Sequence, residues 1–172
     1  SVAMQTLRRF EVIIADDGSK ESVVERIGQL QKDYSFTIKH IWHEDIGWRK
    51  NEILNKAVCA AETEYLVFID GDCILESHFL EDHYNARQKG EVVTGRRVML
   101  TRKVTEKLLA QKLSQDSLKY GLFFQLLVET IFRGEKTLLE RMIRLPKFLR
   151  NILIKERKRF ILGCNFSLHK SD

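Results

Sequence analysis

Two pairs of carboxylates, each at the end of an apolar run, carry the chemistry legible in this sequence. Tyr65-Leu66-Val67-Phe68-Ile69 leads straight into Asp70-Gly71-Asp72. A short continuous apolar run reads as a strand buried on both faces, as in a parallel sheet covered by helices. Its acids then lie at the carboxyl edge of the sheet, where open α/β folds bind ligands. With Gly71 letting the backbone come close, two acids there suit a hard divalent cation, Mn2+ or Mg2+. Asp and Gly are also ordinary turn residues, so this tripeptide alone reads equally as a polar turn.

A second pair changes the balance. Phe10–Ala15 (FEVIIA) is a β-branched run ending in Asp16-Asp17-Gly18-Ser19. Neighbouring strands of a sheet lie about 5 Å apart, so two such ends open onto one crevice. Four carboxylates repel unless cations or hydrogen-bond donors offset them. A metal with a nucleotide diphosphate would do so, because carboxylates also accept from ribose hydroxyls and base imino groups. Arg49, past Gly47 and just before a helix, could hold a phosphate or a base carbonyl. His43, His78 and His83 share no convincing ligand geometry and read as surface or helix-facing residues. Neither GxGxxG nor GxxxxGK[ST] occurs, which disfavours dinucleotide oxidoreductases and P-loop enzymes.

The elements that must position these groups follow from periodicity. Residues 1–9 read as the tail of a helix and 10–15 as a strand. Residues 22–31 read as a helix with Val23, Val24, Ile27 and Leu30 on one face, capped by Ser19 or Asp17. Phe36–Trp42 alternates as a strand. Lys50–Glu62 follows as a helix with Ile53, Leu54, Ala57, Val58 and Ala61 inward, and then comes the Tyr65 strand. This strand–helix alternation argues for a parallel α/β sheet. Beyond it, Ser77–Arg87 reads as a short helix and Glu91–Leu100 as a strand interrupted by Gly95. Residues 104–159 read as helical, kinked or broken at Pro146. Phe160–Leu168 returns to strand or loop.

The chain has 172 residues and a net charge of +5, but the charge is uneven. Residues 102–159 hold 15 Lys/Arg against 6 Asp/Glu, a local +9, while the remainder holds 14 against 18. Two functional surfaces are expected. The first reading of the basic stretch is a helical subdomain packed on the sheet with a solvated basic face. The second is peripheral contact with an anionic membrane surface, where each Lys or Arg contributes roughly 1 kcal/mol. No aromatic interleaving suits nucleic acid. Cys59, Cys73 and Cys164 lack metal spacing and read as reduced thiols of a cytoplasmic protein, placed peripherally at the inner face of the membrane if the second reading holds.

The stretches FEVIIADDGS (Phe10–Ser19), DIGWRKNEILNKAV (Asp45–Val58), EYLVFIDGDCIL (Glu64–Leu75) and GCNFSLHKSD (Gly163–Asp172) resemble, in order and spacing, a family-2 glycosyltransferase of the GT-A fold. The resemblance covers most of the chain except the helical stretch after residue 100. It implies one GT-A domain over 1–172, a Rossmann-like, mainly parallel α/β sheet flanked by helices, with a basic helical insertion at about 103–159. It implies an inverting, metal-dependent transfer from a nucleotide-diphosphate donor, with UDP-sugar as the first expectation, to an acceptor hydroxyl in polysaccharide or glycoconjugate synthesis. The acceptor would be a saccharide or a lipid-linked group. By position, Asp17 would contact the base with Asp16 beside it, and Arg49 would line the nucleotide pocket. Asp70 would lie near ribose and metal, and Asp72 would bind the metal. Gly163, Cys164 and Asn165 would line the sugar and acceptor side. Leu54 stands before Asn55 where the family often has Arg, which leaves Arg49 as the basic contact. The family's first strand is expected before residue 1 and its general base beyond Asp172, so no catalytic base is named. The alternatives are a non-catalytic nucleotide- or membrane-surface-binding module and a nucleotidyltransferase.

Overall fold

Val12, Ile13 and Ile14 are β-branched and suit a pleated, half-buried surface, and they open strand β1 (Val12–Asp16). Strand β2 (Ile38–Trp42) pairs parallel with it, in a register running from Val12 opposite Ile38 to Asp16 opposite Trp42. A parallel pair needs a crossover, supplied by helix α1 (Glu21–Asp33). Ile27 is buried on its inner face, with Val24 and Leu30 partly covered at neighbouring helical positions, whereas Val23 is turned to solvent. Helix α2 (Lys50–Ala60) buries Ile53 and Ala57 four residues apart, the spacing that stacks side chains on one helix face. Strand β3 (Tyr65–Ile69) ends just before Asp70. The computed structural model describes residues 1–110, 121–133, 161 and 163–172.

These residues divide into two compact units. The first comprises Ser1–Phe68, Asp72–Val93 and Ser167–Asp172; the second comprises Ile69–Gly71 and Thr94–Phe166. In the first unit the strand–helix alternation follows the expected order, but the sheet is not continuous. The strand order is β1-β2 in one sheet and β3-β5-β4 in another, with β4 at Val93–Thr94 and β5 at Asn165–His169. Thus, among the described residues, β1 and β3 are not hydrogen-bonded neighbours as the two acidic strand ends suggested. They are tied at the opposite end, where Glu11 Oε1 accepts from the backbone N–H groups of Glu62 and Thr63 (2.8 and 3.2 Å). Lys39 closes that clasp with ion pairs to Glu11 (2.8 Å) and Glu62 (2.7 Å).

Residues 1–9 do not form the tail of an α-helix. A single 3-10 turn covers Val2–Met4, and Gln5 then enters the interior at 1% exposure. Its amide donates to Glu76 O (2.7 Å) and accepts from Leu80 N (2.9 Å). Those bonds hold the start of helix α3 (Phe79–Ala86), two residues shorter at its start than the periodicity predicts. On α3 the helix-facing reading of His83 holds, and the residue is fully internal. Its Nδ1 meets the buried Ser167 Oγ at 2.6 Å, and the Tyr65 hydroxyl meets the same Oγ at 2.7 Å.

In the second unit, helix α4 (Arg102–Leu109) starts on Thr101, whose hydroxyl accepts from Val104 N. With helix α5 (Leu122–Arg133) it forms a small core in which Val104 and Leu126 pack with Val98, Leu100 and Leu108. The predicted strand over 91–100 shrinks to Val93–Thr94. The Asn165 amide lies against Gly95 and bonds Arg96 O (3.0 Å), taking up the next main-chain acceptor with a side chain. The rest of the predicted helical stretch, 111–120 and 134–159 with Pro146, lies outside the described residues, as do residues 160 and 162 of the strand or loop expected after it.

Candidate functional site

The turn after β1 is built by its own acids. Asp16 is buried at 6% exposure; its Oδ1 accepts from Ser19 N (2.8 Å) and its Oδ2 meets His40 Nε2 (2.9 Å). Burial pushes this carboxyl up, yet the hydrogen bonds from Ser19 and His40 outweigh it and hold it below the usual range. The turn is therefore locked by Asp16, not by the Asp17 or Ser19 cap that the spacing suggested; Lys20 occupies the helix-cap position, with no side-chain bond. Gly18 follows at φ +93°, and a Cβ there would lie 2.5–2.7 Å from the Cβ, Cα and N of Asp45. The turn thus abuts the β2–α2 loop, to which Trp42 Nε1 adds a bond onto Ser19 O (3.1 Å).

Asp17 stands one residue further out, with 26% of its side chain exposed. Its Oδ1 meets His43 Nε2 at 2.5 Å, and its Oδ2 accepts from the backbone N–H of Arg49 (3.1 Å). The His43 bond is the main reason its carboxyl lies below the usual range; the Arg49 N–H adds to it, against some desolvation. His43 is buried, so of the surface and helix-facing readings it is the helix-facing one that fits, toward α2. Its Nδ1 faces Lys56 Nζ at 3.3 Å, and Lys56 pairs with Glu52 at 2.7 Å. Glu52 in turn pairs with the Arg49 guanidinium (3.2 Å), which also donates to Glu44 O (2.5 Å). Arg49 therefore serves Asp17 through its main chain while its side chain braces the loop, leaving a buried Nε unpartnered among the described residues. Beside it Trp48 is 88% exposed.

The other predicted site residues stand in two places. Asp70 is partly buried at the end of β3, and Asp72 is exposed. Among the described residues the Asp72 carboxylate takes only a 3.9 Å contact from Cys73 Sγ, so its oxygens are open to a cation. Gly71 between them has no positive φ, and a Cβ there would meet nothing within 4 Å; the protein's own packing does not require glycine at this position. No group of three or more His, Cys, Asp or Glu suited to a metal is gathered among the described residues. An open carboxylate such as that of Asp72 suits a cation that completes its shell with water and phosphate oxygens, as magnesium does, and not an all-protein cage. Gly163 is exposed, whereas Cys164 and Asn165 are buried. The Cys164 sulfur accepts from Arg97 Nη1 (3.5 Å), and the Asn165 amide is turned onto Arg96 O (3.0 Å).

The sequence profile of glycosyl transferase family 2 matches residues 1–171. The chain belongs to glycosyl transferase family 2. The GT-A fold of this family agrees with the parallel β1–β2 pair and its flanking helices. Among curated relatives, the chain is 36% identical over 81 residues to the cholesterol galactosyltransferase of Borreliella burgdorferi, a match covering 47% of this chain and 22% of that protein. It is 32% identical over 68 residues to the chondroitin synthase of Escherichia coli, covering 40% of this chain and 10% of that protein. It is 32% identical over 93 residues to an uncharacterized glycosyltransferase of Nostoc sp., covering 54% and 28%. The chain thus spans less than a third of the length of each of these relatives.

Within this family-2 domain, sequence reasoning missed His40 and His43 as partners of the acid pair. The signal was present in the β1–β2 register. Parallel pairing that sets Asp16 opposite Trp42 brings residues 40–43 to the same sheet end as Asp16 and Asp17.

Proposed function

We propose that the protein containing this chain transfers a sugar from a nucleotide-diphosphate donor, UDP-sugar first among them, to an acceptor hydroxyl with inversion and divalent-metal dependence. The observation carrying this reading is the Asp17 carboxylate, held on both oxygens by His43 and Arg49 N–H and still partly exposed beyond a parallel strand. A fixed acceptor of that kind suits the imino group of a base. In this reading Asp16 braces Asp17, Arg49 shapes the pocket loop, and Asp70 faces the ribose and metal. Asp72 holds Mn2+ or Mg2+ on the diphosphate. The metal, when bound, offsets the charge that develops on the leaving diphosphate. The exposed Gly163 marks the sugar and acceptor side, with Cys164 and Asn165 shaping it from behind. The acceptor hydroxyl also needs a general base on the far face of the sugar, a role assigned to no residue of 1–172.

The acceptor class is supported by the names of two relatives, one a cholesterol galactosyltransferase and the other a chondroitin synthase. A lipid-linked or saccharide acceptor in glycoconjugate or polysaccharide synthesis is consistent with both. Peripheral contact with an anionic membrane belongs to the same reading. It is supported by the local +9 of residues 102–159 and by exposed Val128, Ile131 and Phe132 on α5. No helix among the described residues is long and apolar enough to cross a membrane. A cytoplasmic setting is supported by three unbridged cysteines.

Calorimetric titration of the chain with UDP, with and without MnCl2, tests the reading. The expected result is binding strengthened by manganese and made manganese-independent by Asp72→Ala. No binding of UDP, GDP, ADP, CDP or dTDP overturns it.

A further inference from the structure

The acid pair and the β2–α2 loop are joined by a closed circuit of polar groups, and one member of it is buried without a role so far. The side chain of His43 is 8% exposed, and its backbone N–H donates to Asp16 O (3.4 Å). The ring bridges two elements: Nε2 points at Asp17 beyond β1, and Nδ1 points at Lys56 on α2, with Glu52 of α2 at 3.8 Å. An ammonium has donors and no acceptor. Lys56 must therefore donate to Nδ1, and the ring proton then sits on Nε2, aimed at the Asp17 carboxylate. Lys56 is itself oriented by Glu52, and Glu52 by Arg49, whose N–H returns to Asp17.

We infer that His43 is a positioning residue for donor binding, holding Asp17 in the rotamer that meets the base, with Lys56 fixing the ring tautomer from behind. The inference rests on the nucleotide reading above and adds a specificity determinant to it. Asp17 oxygens left to rotate would present their lone pairs to the base only part of the time. The bond from Nε2–H removes that freedom and leaves the outer face of the carboxylate for the ligand. Glutamine can place its amide nitrogen close to the position of Nε2, whereas asparagine reaches only the region of Nδ1. The two substitutions therefore separate the donor function from the mere presence of a polar side chain.

The test has two arms, both on the chain as it stands. Imidazole ¹⁵N shifts report the tautomer directly: a protonated Nε2 and a lone-pair Nδ1 are expected for His43, and conversion toward the other tautomer is expected in Lys56→Met. Calorimetry with UDP and MnCl2 reports the function. Loss of one hydrogen bond to a charged group predicts about tenfold weaker binding for His43→Ala. Near wild-type affinity is expected for His43→Gln and the weakened affinity again for His43→Asn, with circular dichroism confirming each fold. In an Asp17→Ala background, His43→Ala should change affinity less than about twofold, because a positioning residue has nothing left to position. Unchanged affinity in His43→Ala, an equal loss in both backgrounds, or a proton resident on Nδ1 overturns the inference while leaving the nucleotide reading intact. Absence of nucleotide binding by the wild-type chain overturns the nucleotide reading, and this inference with it.

Discussion

Gly18→Ala isolates what the turn after β1 demands of the backbone. Gly18 sits at φ +93°, where an L side chain is strained, and its absent Cβ would come within 2.5–2.7 Å of Asp45. The conformational cost for alanine at positive φ is about 1–2 kcal/mol. Overpacking adds typically about 1–3 kcal/mol, and the atoms met include the N and Cα of Asp45, which cannot swing aside as a side-chain tip would. Together they predict a loss of about 2–5 kcal/mol, a large share of the roughly 5–15 kcal/mol a domain has. For a chain of this size the melting midpoint should fall by roughly 4–20 °C. Gly71→Ala is the matched control: with no positive φ and open space at its Cβ, it should stay within about 0.5 kcal/mol of wild type. Urea titration followed by circular dichroism measures both. A Gly18→Ala midpoint equal to that of Gly71→Ala would refute the claim that the turn and the β2–α2 loop are in enforced contact.

Three further outcomes are expected. Ser167→Ala removes the hydroxyl that His83 Nδ1 and the Tyr65 hydroxyl share at a fully buried position, while Tyr65 keeps its bond to His83 O (3.1 Å), and should cost about 1–3 kcal/mol by urea unfolding; a neutral result would count against the pairing. Glu11 and Asp16 both lie below their ordinary values of 4.5 and 3.8, because hydrogen bonds to their charged forms outweigh the burial that pushes them up. A depressed carboxyl stabilises the fold fully above its unfolded pKa and loses that contribution as pH falls through the folded value. The unfolding midpoint should therefore hold from pH 7 to about 5 and drop steadily below about 4.5, and a flat profile down to pH 3 would contradict both clasps. Sedimentation with vesicles containing phosphatidylserine should retain the chain at low salt, release it at about 0.5 M salt, and lose most of it with Phe132→Glu. Equal retention on neutral vesicles would remove the electrostatic part of the membrane reading.

What the sequence made legible was local. Helix and strand periods placed β1, α1, β2, α2 and β3 within a few residues, because Val12–Ile14, Ile27, Ile53 and Ala57 each report burial in their own segment. The acids at both strand ends were legible for the same reason, being the first polar residues after apolar runs. What stayed hidden depended on residues far apart in sequence. His43 reads as a loop histidine until the parallel register carries it to Asp17, 26 positions away. Gln5 reads as an ordinary polar residue until it is found holding Glu76 and Leu80. The strand over 91–100 failed because the Asn165 side chain takes up the Arg96 carbonyl. Gly71 reads as the glycine that lets the backbone come close, yet φ and neighbouring atoms put that demand at Gly18.

The bond between the Asn165 amide and Arg96 O joins positions 69 residues apart in sequence, and Gly95 gives the amide room to lie there. The chain that leaves after Arg96 is thereby returned at Asn165 to almost the same point, like a drawn purse. Once the neck is fixed, the cost of closing the loop grows only slowly, by about 0.6 kcal/mol for each doubling of length. Surface positions between the two stems can then be recharged with little effect on the strands outside, as long as the neck and the Val104–Leu126 core survive. The basic character of residues 102–159 is therefore free to drift wherever the core residues Val104 and Leu126 are kept. A change at Gly95 or Asn165 would open the purse.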